Sequence, residues 1–247
     1  MAFSSEVALG GQFIKVSGEH VGRRGGGLRG SVCGFSKASR KRALDFFNKL
    51  DRRGSVPTLF VTLTYPGSFS PYWQDWKADL RAFLERFKRR YPGVALFWRL
   101  EFQQRGAPHF HLLVFGLEQV SIEWLSQAWY EVVGSGDHRH LQAGTQVQRV
   151  KSWRMACYYL AKYVAKVEAV SEPTGRIWGV VNRSALLVRV VEVVLSPAQF
   201  YRLRRVLRSW LERVRGRRLW YGRGRGDGLT CYIPSDDALR LLSWSAV

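Results

Sequence analysis

Two alternating segments joined by a short loop constrain the fold of this chain most strongly. In residues 94–103 and 109–116, apolar side chains recur at every second position, as in a strand with one face buried. Residues 104–108 between them, Gln-Arg-Gly-Ala-Pro, have the composition of a turn. The sequence therefore predicts an antiparallel hairpin with a five-residue loop. Its even-numbered positions form the face expected in the core: Trp98, Leu100, Phe102, Phe110, Leu112 and Val114.

The opposite face of this hairpin carries polar side chains. His109 and His111 point the same way, because side chains alternate along a strand. If the loop is symmetric about Gly106, Glu101 pairs with His111 and Gln103 pairs with His109, close enough for one ion to bridge. Two imidazoles and a carboxylate suit Mg²⁺, Mn²⁺ or another divalent transition metal acting as a Lewis acid. The alternative interpretation is that the histidines simply occupy an exposed strand.

A second informative segment is the predicted helix over residues 152–167. Tyr159, Lys162, Tyr163 and Lys166 follow one another at helical spacing and form one stripe. A phenol ordinarily ionises near pH 10, and neighbouring lysines favour the phenolate and neutralise a phosphate. The stripe is therefore suited to attack on a phosphodiester, although a plain amphipathic surface is the alternative.

The charge balance points to a polyanionic partner. The 247 residues include 39 Lys and Arg against 19 Asp and Glu, a formal net charge of +20. Such an excess makes nucleic acid the first candidate partner and an anionic membrane surface the second. The three cysteines lie far apart, which argues against a disulfide scaffold and a zinc finger. We expect neither a signal peptide nor a membrane span, and therefore a cytoplasmic protein.

The remaining pattern predicts an α+β fold, with helices packed against a central antiparallel sheet. Residues 1–35 are Gly-rich and are predicted to be a mobile arm or an edge segment, and His138-Arg139-His140 is predicted to lie in a loop rather than to be a ligand pair. We expect three segments along the chain: a basic extension with one helix over 1–54, a catalytic domain over 55–195, and an Arg-rich helical extension over 196–247. Strands are predicted over 58–65, 144–150 and 186–195, and helices from Ser36 to about residue 53, over 72–90 and 122–133, and from Ser196 onward.

Four segments together resemble the HUH superfamily of single-strand endonucleases, specifically the rolling-circle replication initiators. Residues 60–66, Phe-Val-Thr-Leu-Thr-Tyr-Pro, resemble their first motif, and residues 106–111, Gly-Ala-Pro-His-Phe-His, resemble their metal motif. Residues 159–166 are similar to the two-tyrosine motif of initiators from single-stranded DNA phages and related plasmids, and residues 175–179 resemble a segment that follows it. The segments occur in the family's order.

The resemblance implies a palm-like sheet and a nicking mechanism. A metal ion held by Glu101, His109 and His111 polarises the scissile phosphate, and Tyr159 or Tyr163 attacks it. The products are a 5′-phosphotyrosine link and a free 3′-OH that primes synthesis, and the second tyrosine allows strands to be rejoined. Lys162 and Lys166 are the expected electrostatic helpers, and Tyr158 is a third candidate nucleophile. The expected DNA contacts are Thr62, Thr64, Arg99, Gln103 and Arg105.

The expected substrate is single-stranded or hairpin origin DNA in a bacterial host. No Gly-x-x-x-x-Gly-Lys-Ser/Thr sequence occurs, so unwinding and synthesis are expected to need a host helicase and polymerase. Three alternatives stay open: a transposase or relaxase of the same superfamily, an iron oxygenase with two histidines and a carboxylate, and a DNA-binding repressor without catalysis.

Overall fold

The predicted α+β class is confirmed by a computed structural model, which describes residues 3–18, 34–156, 159, 173–216 and 228–246. The described residues contain two antiparallel sheets, one of five strands and one of four. The chain divides into two compact units, one of residues 29–43 and 54–186 and the other of residues 1–28, 44–53 and 187–247. The predicted division into segments 1–54, 55–195 and 196–247 stays a prediction.

The five-stranded sheet belongs to the first of these units, which we call the palm unit. Its strands are β3 (Pro57–Thr64), β4 (Ala95–Phe102), β5 (Pro108–Phe115), β6 (Thr145–Arg149) and β7 (Trp178–Val181). They follow one another in the order β6-β3-β5-β4-β7. The hairpin strands β4 and β5 therefore lie inside the sheet, with β3 beside β5, which places the first-motif strand directly against the strand of the two histidines.

One face of this sheet is covered by two amphipathic helices, α2 (Trp73–Arg90) and α3 (Ile122–Val133). The apolar positions of β3, β4 and β5 alternate onto that face, as the sequence predicts, and pack against the apolar stripes of both helices. Ser121 begins α3 by accepting a hydrogen bond from the Trp124 N–H at 3.2 Å, and Gly134 ends it with φ +62°. The polar positions of the same strands are left on the opposite face.

The loop of the β4–β5 hairpin differs from the predicted one. Gly106 N–H donates to Gln103 O at 2.9 Å, and Gln103 N–H donates to Ala107 O at 2.9 Å, so the loop spans residues 103–107. Gly106 has φ +79°, a conformation open to glycine because it lacks a Cβ. The glycine therefore follows the tight turn as a bulge residue instead of standing at its centre.

This turn moves the pairing register by two residues. Glu101 lies opposite His109, and Arg99 lies opposite His111. The prediction that Glu101 opposes His111 and Gln103 opposes His109 was wrong, because it placed Gly106 at the centre of the loop. A two-residue shift keeps every side chain on its own face of the sheet, so the polar set stays together.

A short helix, α4 (His138–Ala143), corrects the prediction of a loop around His138-Arg139-His140. Asp137 begins it by accepting a hydrogen bond from the Arg139 N–H at 2.9 Å. His140 is buried, with Nε2 2.8 Å from the Thr64 carbonyl oxygen and Nδ1 2.9 Å from Ser135 Oγ. Burial lowers the pKa of His140, so the neutral ring connects α4 to the end of β3.

The four-stranded sheet belongs to the second unit and has the order β8-β1-β2-β9. Its strands are β1 (Phe3–Leu9), β2 (Phe13–Gly18), β8 (Arg189–Leu195) and β9 (Leu229–Cys231). Residues 3–18 thus form a hairpin inside this sheet rather than the predicted mobile arm or edge segment, because Phe3, Val7, Ile14 and Val16 supply a buried face. Residues 19–33 of the predicted segment lie outside the described residues. Against it pack α5 (Pro197–Arg215), which begins at the predicted Ser196 cap, and α6 (Ser235–Ala246).

Three further features complete the described chain. Helix α1 (Lys37–Lys49) precedes β3, and a short 3₁₀ turn (Arg183–Ala185) follows β7. Residues 153–156 and 159 are helical, in agreement with the predicted start of the tyrosine helix, whereas residues 157–158 and 160–172 lie outside the described residues. Of the helices in the described part of the chain, none is long and apolar enough to cross a membrane.

Candidate active site

The polar face of the palm sheet collects side chains from four neighbouring strands. Register places Thr62 and Thr64 of β3 opposite His111 and His109 of β5, and β4 carries Arg99 and Glu101 on the other side of the histidines. On the far side of β3, Gln146 and Gln148 of β6 lie opposite Thr62 and Phe60. Because paired residues point to the same face, one surface holds all the hairpin residues that the sequence singled out except Gln103 and Arg105.

Glu101 and His111 form a buried pair at the centre of this face. His111 Nε2 lies 3.1 Å from Glu101 Oε2. Glu101 is 5% exposed and His111 is 7% exposed. The other ring nitrogen, Nδ1, lies 3.2 Å from Thr62 Oγ1. The imidazole is thus fixed from both sides, by a carboxylate and by a hydroxyl.

His109 is fixed in a similar way but by a different ring nitrogen. Its Nε2 lies 2.8 Å from Thr64 Oγ1, and its ring centroid is 4.7 Å from that of His111. Each histidine therefore uses one nitrogen for a threonine of β3. A hydrogen bond of this kind to the remote nitrogen is typical of metal-ligating histidines, since it fixes the tautomer and the ring orientation.

The donor chemistry of Glu101, His109 and His111 fits a divalent cation, since one carboxylate and two anchored imidazoles share a face. The convergence is incomplete, however. Within the described ranges, no three His, Cys, Asp or Glu side chains are grouped closely enough to hold an ion. Glu101 and His111 are in contact, whereas the hydrogen bond of His109 is directed to Thr64.

The Arg99 side chain lies beside the Glu101 carboxylate and offsets its negative charge. It is 2% exposed, its Nη1 lies 3.5 Å from Glu101 Oε1, and its guanidinium carbon lies 4.5 Å from the centroid of the Phe35 ring. Sequence reasoning assigned Arg99 to DNA. In the structure the guanidinium lies under Phe35 beside the Glu101 carboxylate, and its role as a DNA contact stays a prediction.

Tyr159 reaches the same face through an aromatic stack. The phenol ring lies parallel to the ring of Phe60, with centroids 4.3 Å apart and an interplanar angle of 6°. Phe60 stacks in turn on His111, with centroids 5.4 Å apart. The Tyr159 hydroxyl donates to Gln148 Oε1 at 2.7 Å. One predicted nucleophile is therefore held beside the Glu101–His111 pair, whereas Tyr158, Lys162, Tyr163 and Lys166 lie outside the described residues.

The last two predicted DNA contacts, Gln103 and Arg105, are part of the hairpin loop. Arg105 Nη2 donates to the Tyr65 carbonyl at 2.6 Å, Nη1 donates to the Pro66 carbonyl at 2.7 Å, and Nε donates to Gln103 Oε1 at 2.9 Å. These bonds connect the loop to the turn that follows β3. Arg105 is exposed nonetheless, and a DNA contact by either residue stays a prediction.

Sequence reasoning missed Phe60 and Gln148. The signal for Phe60 was available, because alternation along residues 58–65 places this ring on the face of Thr62 and Thr64, among polar side chains. Gln148 had no such signal, since its role depends on the pairing of β6 with β3.

Comparison with known proteins finds sequence relatives that are described as replication proteins. Residues 58–168 match the replication-associated protein family ORF2. The chain is 27% identical over 205 residues to a replication-associated protein of Pseudomonas phage Pf3, a match that covers 76% of this chain and 72% of the relative. It is 28% identical over 206 residues to a protein of Xylella fastidiosa strain Temecula1 described as a replication protein, covering 74% and 75%. The resemblance to rolling-circle replication initiators is confirmed, and the two-tyrosine assignment stays a prediction.

Proposed function

Starting from the similarity of residues 58–168 to replication-associated proteins, we propose that the chain is a replication initiator that nicks single-stranded or hairpin origin DNA. The observation that carries the proposal is the series of contacts from Tyr159 through Phe60 to His111 and Glu101. These contacts support the proposal because they bring the phenol that we propose as the nucleophile and the proposed metal ligands to one sheet face. The proposed site of action is the cytoplasm of a bacterial host. There a host helicase unwinds the DNA and a host polymerase extends the nicked strand.

In this proposal Glu101, His109 and His111 hold a divalent cation, Mn²⁺ or Mg²⁺, which polarises the scissile phosphate when it is bound. Thr62 and Thr64 orient the two imidazoles through the ring nitrogens that they already contact.

The covalent step belongs to the tyrosines. The Tyr159 oxygen forms a bond to phosphorus while the bond from phosphorus to the 3′ oxygen breaks, and the phenol proton ends on the leaving 3′-OH. The phosphodiester energy is kept in the 5′-phosphotyrosine link, so attack by a 3′-OH reverses the step without ATP. Lys162 and Lys166 neutralise the phosphate, and Tyr163 is the second nucleophile, which serves for rejoining.

A denaturing-gel assay tests this proposal. The full chain is incubated with Mn²⁺ and labelled single-stranded DNA from the cognate replicon, and any shifted protein band is digested and mapped. We expect a covalent adduct that EDTA abolishes and that maps to Tyr159 or Tyr163. The double variant Tyr159→Phe with Tyr163→Phe is expected to bind DNA and to form no adduct.

Two results would overturn parts of the proposal. An adduct that persists in the double variant would move the nucleophile to Tyr158. No adduct with cognate DNA, together with DNA binding that survives EDTA, would favour a repressor that binds without cleaving.

A further inference from the structure

A groove lies on the opposite face of the palm sheet from the candidate active site, between α2 and the strands β4 and β7. Its volume is about 390 Å³. Aromatic and basic side chains dominate its walls, with Glu85 as the acidic member among them. The lining residues that carry the argument are Trp73, Lys77, Arg81, Glu85, Trp98 and Arg176.

Two glycines let the tryptophans of this groove approach the backbone. Gly175 has φ +63°, and a Cβ at this position would lie 2.6 Å from the ring of Trp73. A Cβ at Gly179 would lie 2.8 Å from Nε1 of Trp98. Any larger residue at either position would displace an indole, so the segment 175–179, which sequence analysis singled out, shapes the groove.

Lys77 extends across the floor of the groove in an unusual environment. Its Nζ lies 4.9 Å from the centroid of the Trp98 ring and 5.4 Å from that of Phe110. It donates to the Arg176 carbonyl at 2.5 Å. An ammonium has three protons to donate, and among the described residues this carbonyl is its one hydrogen-bond acceptor. Burial, with a smaller effect from the Arg176 charge, lowers the pKa of Lys77 to about 7.

The charges that face Lys77 favour an anionic ligand. Arg81 lies one turn further along α2, and Arg176 precedes β7; both are positive. Glu85 is the acidic residue of the lining, and its Oε1 lies 2.7 Å from Nζ of Lys88, which offsets its charge. Three basic groups beside an indole match the two parts of a nucleotide, a phosphate and a base.

We propose that this groove binds a nucleotide of single-stranded DNA, with its phosphate at Lys77, Arg81 and Arg176 and its base against Trp73. The identity of the polymer rests on the proposed function, whereas the binding site is separate from the nicking site. A bound phosphate would supply the acceptors that Lys77 lacks among the described residues and would favour its charged form.

The position of β7 favours a DNA strand over a free nucleotide. In the described sheet, β7 follows β4 at the end of the order. Its Trp178 pairs with Arg99 on the face of the candidate active site, whereas Gly179 pairs with Trp98 on the face of the groove. A flexible strand that passes around β7 can therefore contact both faces, which a mononucleotide cannot do.

Equilibrium binding tests this proposal. Fluorescence anisotropy of a labelled oligothymidylate is measured with the full chain in EDTA, so that no cleavage occurs, at several salt concentrations. We expect Lys77→Met and Arg176→Gln each to weaken binding roughly tenfold. Each is also expected to reduce the slope of log affinity against log salt by about 0.7, the value for one lost phosphate contact on a single strand.

Arg89→Gln is the matched control. It makes the same substitution as Arg176→Gln but on the helix of Lys77, about three turns from Lys77 and outside the groove lining, and should leave affinity within about twofold of the unaltered chain. Unlabelled dATP serves as a competitor. The Lys77→Met variant should fold, because it removes a poorly solvated charge, and a thermal melt checks this.

Two outcomes would overturn the groove assignment. One is an affinity and salt slope unchanged in both groove variants; the other is displacement of the oligonucleotide by dATP at concentrations near the Kd of the strand. The measurement excludes cleavage, so it can be made even if the chain forms no adduct with DNA. If Lys77→Met still weakens binding of the oligonucleotide in that case, the groove assignment is supported although the nicking proposal fails.

Discussion

The Tyr159 hydroxyl donates a hydrogen bond to Gln148 Oε1 at 2.7 Å, which fixes the phenol oxygen on the face of the Glu101–His111 pair. We expect Gln148→Ala to slow adduct formation roughly fivefold, since one such bond contributes about 1 kcal/mol to orientation. Single-turnover cleavage measures this. Gln146→Ala, two positions away on the same exposed strand face, is the control, and an equal loss in both variants would contradict the orienting role.

The stack beneath Tyr159 is tested at Phe60. Phe60→Leu removes the ring that joins Tyr159 to His111, so we expect roughly tenfold slower adduct formation with unchanged DNA affinity. Phe97→Leu is a close control, because Phe60 on β3 and Phe97 on β4 pair with the same residue of β5, Leu113, from its two sides. Both changes should cost about 1 kcal/mol of stability. A normal cleavage rate for Phe60→Leu would show that the stack does not position the phenol.

The metal proposal is tested at Glu101. Glu101→Gln keeps the shape of the side chain and removes the anionic ligand, so we expect cleavage in Mn²⁺ to fall at least about a hundredfold. Calorimetry should show loss of Mn²⁺ binding.

Glu101→Ala is less informative, because it leaves the buried Arg99 guanidinium without this carboxylate and should cost about 3 kcal/mol of stability. Glu131→Gln, at an exposed ion pair with Arg86, is the control. Undiminished Mn²⁺ binding by Glu101→Gln would remove Glu101 from the ligand set.

Lys77 gives a pH dependence of stability with a definite sign. Its pKa is lowered from 10.5 to about 7 in the folded chain, so between about pH 7 and pH 10 the unfolded chain binds more protons than the folded one. The free energy of unfolding therefore increases as the pH rises across that window, and the same contribution is lost as the pH falls towards 7. We expect Lys77→Met to stabilise the fold at pH 7 by on the order of 2 kcal/mol and to flatten this dependence. Urea unfolding at pH 7 and pH 9.5 measures the difference, and equal gains at both values would contradict it.

Periodicity predicted most of the palm unit because its strands have one apolar face. Val61 and Leu63 alternate with Thr62 and Thr64, and the structure buries both apolar side chains as expected. The register of the hairpin was not predictable in this way, since a two-residue shift leaves the alternation unchanged. It depends on the position of Gly106 within the turn, which the conformation of the loop decides.

The groove and the N-terminal hairpin were missed for a different reason. Lys77 sits on the polar side of a helical pattern, and its burial results from Trp98, which the chain reaches 21 positions later. Residues 3–18 form strands because β1 is paired with β2 on one side and with β8 on the other. Contacts between positions so distant in sequence leave little trace in local composition.

The pairing of β1 with β8 also bears on the order in which the chain can fold during synthesis. β1 ends at Leu9, whereas its partner β8 ends at Leu195 and is synthesised only after the strands of the palm sheet. An isolated two-stranded hairpin is at best marginally stable in water, so β1 and β2 must wait while the whole palm sheet is translated. The residues of the proposed active site, which lie within residues 54–186, are therefore synthesised while the first strands still lack their third partner.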